Sequence, residues 1–220
     1  MNKKLWSERL SLTYSEYGCL DGYKLLYCPW ETIEKAKVAF ISLNPGEPPE
    51  NADLKVISDE RGNSYEVEML TTKSPITEQF LRLCEYIQVS PSEVLTGTIC
   101  PFRSKDWNFF INGYPFLDKQ KEIGLKLGIE FWSDALKHID LIITVGDETT
   151  KSVIDIINAK KILEINSGWG NIKIRKYINS KNKTVIHLPH LSRFRLFSRA
   201  ECQEPLEKVF FDEYHNEYEN

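Results

Sequence analysis

The sequence predicts an α/β fold, a three-layer α/β/α sandwich around a mostly parallel, four-stranded central sheet. Short, nearly continuous apolar segments, typical of strands buried on both faces, alternate with segments whose apolar residues recur at helical spacing. Each apolar segment ends in proline, glycine or polar residues, as the strands of βα units do. A length of 220 residues suits one domain, which we assign to residues 1–220.

The first main strand, from Lys37 to Leu43, ends in the tripeptide Asn44-Pro45-Gly46. Pro45 cannot donate a backbone hydrogen bond to a sheet, and Gly46 permits a positive φ, so the chain is expected to leave the sheet here. Asn44 is then held at the carboxyl end of a strand, where open α/β sheets bind ligands. An ordinary turn is the alternative interpretation of the same tripeptide.

A short helix from Leu5 to Tyr17 is expected before this strand. The segment after it, from Glu47 to Ser74, is too long for an ordinary strand-to-helix loop and is therefore expected to be functional. Within it, Tyr65 is the aromatic residue expected to reach the site. Pro75 then begins a helix whose apolar stripe predicts a place in the core.

The later elements continue the alternation of strands and helices. In chain order we predict a second strand (Val94 to Cys100), a helix (about Lys119 to Lys137), a third strand (Ile139 to Val145), a helix (Glu148 to Ile157), two short strand pieces (Lys161 to Ile165 and Asn171 to Ile178), a fourth strand (Thr184 to Leu188) and a last helix (about Arg199 to Tyr214). The two short pieces are spaced like a hairpin.

The residues that follow these strands resemble the motifs of the uracil-DNA glycosylase superfamily. Leu43-Asn44-Pro45-Gly46 is similar to the first motif of its mismatch-specific and single-strand-selective branches, and His190-Leu191-Ser192 is similar to its second motif, His-Pro-Ser. Pro101-Phe102-Arg103 and Val145-Gly146 occur in the expected order between them. The resemblance implies the strand order 2-1-3-4 for the sheet.

The resemblance also implies an activity: a DNA glycosylase that cleaves the N-glycosidic bond of a flipped uracil or modified pyrimidine. Asn44 would position the attacking water, and His190 would stabilise the departing base. His187 can be aligned with the family histidine instead, although the His-x-Ser spacing favours His190. Thr98 stands where family members that select uracil carry asparagine, so a pocket for a larger pyrimidine is the alternative to uracil.

The resemblance also implies which residues contact the base and the DNA. The expected base pocket consists of Pro45, Gly46, Tyr65, Thr98 and Phe102, with Tyr65 or Phe102 stacking on the base. The expected DNA contacts are Leu191, Ser192, Arg193, Phe194 and Arg195. Among these, an apolar side chain would fill the gap left by the flipped base, and the polar ones would contact phosphate.

The distribution of charge agrees with a DNA partner, double- or single-stranded. The chain has a net charge of -4, yet the segment from Lys160 to Arg199 contains ten Lys or Arg residues and a single acidic residue, Glu164. Such a segment can attract phosphate groups. An ordinary solvated surface is the alternative for its lysines Lys160, Lys161, Lys181 and Lys183.

Composition excludes several classes of protein. The five cysteines are far apart and form no Cys-x-x-Cys pair, which argues against a disulfide framework, a zinc site or an iron–sulfur cluster. No segment has the apolar length of a signal peptide or membrane span. We therefore expect a cytoplasmic monomer without cofactor or metal. One alternative is a catalytically silent nucleic-acid-binding protein of the same fold. The other is an unrelated doubly wound enzyme acting on a free nucleotide or small molecule, although the sequence has neither a G-x-G-x-x-G motif nor a P-loop lysine motif.

Overall fold

A six-stranded, mostly parallel sheet lies at the centre of the computed structural model, which describes residues 1–17, 21–48, 50, 52–71, 74–104, 107 and 117–212. The strands are β1 (Tyr23–Lys24), β2 (Val38–Ser42), β3 (Lys55–Val56), β4 (Val94–Thr98), β5 (Leu141–Val145), β6 (Lys160–Asn166), β7 (Lys173–Ile178) and β8 (Thr184–Leu188). The helices are α1 (Lys3–Glu16), α2 (Thr32–Lys35), α3 (Ser64–Met69), α4 (Pro75–Tyr86), α5 (Leu117–Ala135), α6 (Asp147–Ile157) and α7 (Gln203–Phe211). Short 3-10 turns cover Pro91–Glu93, Leu136–His138, Leu196–Ser198 and Ala200–Cys202.

The order of strands in the central sheet is β4-β2-β5-β8-β7-β6. The first four strands are parallel to one another. β7 is antiparallel to β8, and β6 is antiparallel to β7. The prediction of four strands is therefore wrong: the hairpin predicted from the two short pieces forms, and it pairs with β8. Ile174 and Tyr177 of this hairpin are buried, so joining the sheet extends the core as well as the backbone pairing.

Helices cover both faces of the sheet because side chains alternate along its buried strands. In β2, Ala39 and Ile41 pack into a cluster that contains the aromatic side chains of α5. Val38 and Phe40 pack into the opposite cluster, with apolar side chains of α4 and α7. The helix boundaries follow the predictions closely, with Pro75 in the first turn of α4, while α7 is shorter than predicted and Tyr214 lies outside the described residues.

A buried ion pair between Lys24 of β1 and Asp59 connects the segment between β2 and α4 to the rest of the fold. The Lys24 Nζ atom lies 2.8 Å from the Ser64 Oγ atom and 3.3 Å from the Asp59 Oδ2 atom. β3, in the same segment, pairs with β1. This long segment is therefore an ordered part of the fold at the described positions.

The carboxyl ends of β4, β2, β5 and β8 meet at one edge of the sheet because these strands are parallel. We call this the carboxyl edge. The turn between β6 and β7 lies at the same edge, since β7 runs antiparallel to β8 and begins there. No helix among the described residues is both long and apolar enough to cross a bilayer.

Candidate active site

The side chain of Asn44, directly beyond β2, is held in one orientation by two backbone carbonyl groups. Its Nδ2 atom lies 3.0 Å from the carbonyl oxygen of Pro45 and 3.4 Å from that of Ser104. A carbonyl oxygen can only accept a hydrogen bond, so the NH2 half of the amide faces both. The Oδ1 atom has no donor among the described residues. It is therefore the group available to a water molecule or ligand.

The loops that follow β2 and β4 are joined through their backbones. The amide of Ser104 donates to the carbonyl of Pro45 at 3.1 Å. Pro45 is buried, whereas Gly46 is exposed. Gly46 does not adopt a positive φ, and a Cβ there would meet nothing within 4 Å, so the chain leaves the sheet here without the backbone conformation that glycine alone adopts easily. β2 thus ends at Ser42, before Pro45, and Gly46 leaves open space in the loop that follows.

Arg103 lies beside the same loop and is buried without an ionic partner among the described residues. It is 9% exposed, its Nη1 atom donates to the carbonyl of Gly46 at 3.3 Å, and its buried Nε atom has no hydrogen-bond partner in the described part of the chain. Burial lowers the pKa of its guanidinium. No carboxylate in the described part of the chain lies within ion-pair distance of it. Sequence reasoning noted Arg103 only as part of a motif, because burial without a partner has no sequence signature.

His190 occupies a turn at the end of β8. The backbone amides of Arg193 and Phe194 donate to its carbonyl at 2.9 and 3.0 Å. Its Nδ1 atom lies 2.6 Å from the Ser192 hydroxyl. Although the residue is exposed, the protein around the ring displaces enough water to lower its pKa, which favours the neutral imidazole at pH 7. If the hydroxyl donates to Nδ1, the Nε2–H group remains free as a donor.

His187, the other candidate for the family histidine, is an interior residue of β8. Its Nδ1 atom lies 2.7 Å from the Thr150 hydroxyl, and its Nε2 atom lies 3.7 Å from a carboxylate oxygen of Asp147. Burial and the nearby Arg175 lower its pKa to about 4. Its position inside this network leaves His190 as the histidine that can meet a ligand.

Four predicted site residues are buried in the core. Tyr65 stacks on Tyr27 at 5.6 Å between ring centroids and packs against two phenylalanine rings. Phe102 and Thr98 are fully enclosed, and the Thr98 hydroxyl donates to the carbonyl of Lys24 at 2.9 Å. Leu191 is also fully buried. In this structure neither ring offers a free face, Thr98 has no free hydroxyl for a base, and Leu191 does not project as a wedge.

Beyond His190, two arginines flank a pair of aromatic rings. The guanidinium carbon of Arg193 lies 5.8 Å from the ring centroid of Phe194, which meets Trp169 edge-on at 5.9 Å. Arg199 lies 4.1 Å above the Trp169 ring. We call these four residues the arginine–aromatic row. Trp169 and Arg199 were missed by sequence reasoning, although a tryptophan between two glycines in a hairpin turn was a usable signal.

Several cations of the basic segment have structural roles. The Nζ atom of Lys183 donates to the three carbonyls of Leu136, Lys137 and Ile139 at 2.6, 2.7 and 2.9 Å. Lys161 pairs with Glu164 at 3.0 Å. Beyond the end of β8, Arg193 and Arg195 are exposed, and Lys173 begins β7 at the same edge, while Arg199 is paired with Glu201 at 3.6 Å.

The spacing of the strands sets the distance across the candidate site. β2 and β8 are separated by one strand, β5, so their ends lie about 10 Å apart in the direction of the backbone hydrogen bonds. That distance is comparable with the length of a nucleoside. Asn44 and His190 thus flank the point where α6 begins. No protein-family model matches the chain, and no curated protein matches it either.

Proposed function

We propose that this protein is a DNA glycosylase of the uracil-DNA glycosylase type, which hydrolyses the N-glycosidic bond of a uracil or modified pyrimidine flipped out of DNA. The observation that carries the proposal is the orientation of Asn44. Two carbonyl groups fix its NH2 half, and its oxygen is left available at the same edge of the sheet as His190. We propose further that it acts as a cytoplasmic monomer without a cofactor.

In the proposed reaction, the bond between C1′ and the base nitrogen breaks and its electron pair leaves with the base. The sugar becomes oxocarbenium-like, and a water oxygen bonds to C1′. Asn44 Oδ1 accepts a hydrogen bond from this water and orients it. An amide takes up a proton very weakly, so the proton of the water leaves to solvent. The expected rate is therefore lower than with a carboxylate at this position.

His190 has the complementary role. As the bond breaks, negative charge develops on the carbonyl oxygen of the base, and the Nε2–H group of a neutral His190 donates a hydrogen bond to it. A fixed donor of this kind often stabilises a transition state by about 3 kcal/mol. The Ser192 hydroxyl supports this role by holding the Nδ1 side of the ring.

The proposed DNA contacts follow directly after His190. Arg193 and Arg195 are exposed and would contact phosphates, while Ser192 is shared between phosphate and His190. Phe194 is partly exposed and replaces the buried Leu191 as the proposed wedge, since unstacking a base costs a few kcal/mol. Pro45 and Gly46 would form the wall of the base pocket beside Asn44.

Base release from synthetic oligonucleotides tests the proposal. Single- and double-stranded substrates carry uracil, mismatched thymine, hypoxanthine or a 5-substituted cytosine. We expect release of one or more bases by the wild type and a loss of at least about 100-fold in Asn44→Ala and His190→Ala. His138→Ala is the control, because His138 precedes β5 and so lies at the opposite edge of the sheet. Release that survives both substitutions would contradict the assignment of the site.

A silent reader of nucleic acid is the second candidate function. The burial of Tyr65, Thr98 and Phe102 favours it, because these residues offer no open pocket for a base. Under this alternative the wild type binds DNA and loses affinity with rising salt, yet releases no base from any substrate. The same oligonucleotides, labelled for fluorescence anisotropy, separate the two functions.

A further inference from the structure

Arg103 is a buried charge with incomplete compensation. Taking a guanidinium out of water costs several kcal/mol unless hydrogen bonds and an opposite charge replace the water. Among the described residues, Arg103 makes one side-chain hydrogen bond, to the carbonyl of Gly46, and its Nε–H group has no acceptor. A ligand atom at this position would supply what the described residues do not.

A second buried cation near Arg103 increases the excess of buried positive charge. Lys24 is a second buried cation; burial is the main cause that lowers the pKa of its ammonium group, and the positive charge of Arg103 adds to it. The buried carboxylate that pairs with Lys24 is Asp59, and Asp59 is shared with Arg61 at 2.9 Å. Buried positive charge thus exceeds buried negative charge among the described residues behind the Asn44 loop.

We infer that Arg103 binds an anionic oxygen of the ligand next to Asn44. The guanidinium lies at the carbonyl of Gly46, and the neighbouring Ser104 carbonyl holds the Asn44 amide, so both side chains belong to one hydrogen-bonded loop pair. A guanidinium with a free N–H group suits an oxygen that carries charge. The inference rests on the proposed function, and it makes Arg103 a ligand-contacting residue of that site.

Two oxygens of a DNA substrate fit this description of an anionic partner for Arg103. One belongs to the phosphate beside the flipped nucleotide and carries a full charge throughout. The other is the carbonyl oxygen of the departing base, which becomes negative only as the glycosidic bond breaks. The first would contribute to DNA affinity and the second to the rate of release.

The first experiment does not depend on glycosylase activity and uses inorganic phosphate as the probe. The melting temperature of the full chain is measured with sodium chloride replaced by sodium phosphate at constant ionic strength. Phosphate raises the melting temperature of most proteins to some extent, so Arg82→Met, at an exposed arginine in the middle of α4, measures this general effect. We expect a larger rise for the wild type than for Arg103→Met, because only the wild type binds the anion.

Arg103→Met removes a buried charge that has no ionic partner among residues the structure describes, so we expect it to fold and to melt higher than the wild type in chloride. Arg103→Lys keeps the charge without the planar fork and should retain part of the phosphate effect. Equal phosphate shifts in the wild type, Arg103→Met and Arg82→Met would overturn the inference. That result would leave the proposed glycosylase activity untouched, and an inactive wild type with a phosphate shift would refute the activity alone.

The second experiment distinguishes the two oxygens. Binding to an oligonucleotide with a tetrahydrofuran abasic analogue is measured from low to high salt. If Arg103 contacts phosphate, Arg103→Met lowers the slope of log affinity against log salt by about 1. If it contacts the base oxygen, the slope is unchanged, and release of uracil falls by about 100-fold while release of the more acidic 5-fluorouracil falls less. An unchanged slope together with unchanged release would overturn the inference.

Discussion

At the scale of single residues, the orientation of Asn44 makes a prediction that needs no substrate. In Asn44→Asp, a carboxylate oxygen replaces the Nδ2 atom and faces the carbonyl oxygens of Pro45 and Ser104, neither of which can donate. We expect a loss of about 1–3 kcal/mol in the free energy of unfolding at pH 7.5. The pKa of the new carboxyl group is raised, because its protonated form can donate to a carbonyl.

A raised pKa in the folded state means that stability is recovered as pH falls. The difference between Asn44→Asp and the wild type should therefore be smaller at pH 5 than at pH 7.5 in urea unfolding. Asn44→Ala loses the same two hydrogen bonds without gaining a charge, so its deficit should not change with pH. An aspartate variant with the same deficit at both pH values would show that the amide does not face these carbonyls.

The sequence located Asn44 and His190 because each follows an apolar strand and strand ends can be read from composition. It could not predict the environment of Thr98 or Arg103. The hydroxyl of Thr98 is occupied because the chain next to β1 passes beside β4, a contact between residues far apart in sequence. Arg103 is unusual only through its burial, which depends on the same tertiary packing.

At the scale of elements, the hairpin of β6 and β7 brings Trp169 to the carboxyl edge. Gly168, in its turn, has a φ of +83°, and a Cβ there would clash with the backbone of Glu201. The turn is thus packed against the chain that precedes α7, which places Trp169 between Phe194 and Arg199. An aromatic ring fixed in this way is suited to stacking on an unpaired base.

We therefore expect Trp169→Ala to weaken binding of a single-stranded oligonucleotide at fixed salt by roughly 10- to 100-fold, since one stacked base contributes about 1–3 kcal/mol. Phe211→Ala is the matched control, because Phe211 is an aromatic residue with 55% exposure at the end of α7. Fluorescence anisotropy measures both variants. Equal affinities for the two variants would mean that the arginine–aromatic row does not contact nucleic acid.

The elements that the sequence predicted best are those whose formation depends on their own residues. The parallel strands are apolar segments bounded by proline or glycine, and the predicted boundaries are close to the observed ones. The hairpin was predicted, but the pairing of β7 with β8 was not, because Lys173, Arg175 and Lys176 interrupt β7 and leave no apolar run typical of a central strand. Tyr65 likewise was expected at the site, whereas its ring completes the core between Phe40 and Phe80.

At the scale of the whole molecule, His187 links several elements at the centre of the fold. Its ring in β8 contacts the Thr150 hydroxyl of α6, and Thr150 in turn contacts Thr144 of β5. Asp147 faces it from the start of α6, and Arg175 faces it from β7. Protonation of this ring places a positive charge between the sheet and α6. It therefore lowers the stability of the whole domain.

The free energy of unfolding should fall as the pH is lowered from 6.5 towards 4. The folded state holds His187 neutral with a pKa of about 4, whereas the unfolded chain takes up the proton near 6.5. Stability is therefore full above pH 6.5 and lower by about 2 kcal/mol at pH 5. The lowered pKa values of Asp59 and Glu164 affect stability mainly below this range.

Urea unfolding of the wild type and of His187→Asn at pH 7 and pH 5 measures this effect. Asparagine keeps a polar partner for Thr150 but does not titrate. The variant should therefore be less stable than the wild type at pH 7, and its free energy of unfolding should change much less between pH 7 and pH 5. The pKa of His190 is also lowered, and His190→Ala therefore serves as the second control. A wild type and a His187→Asn variant that lose equal stability between pH 7 and pH 5 would assign the dependence to another group and refute a neutral His187 in the core.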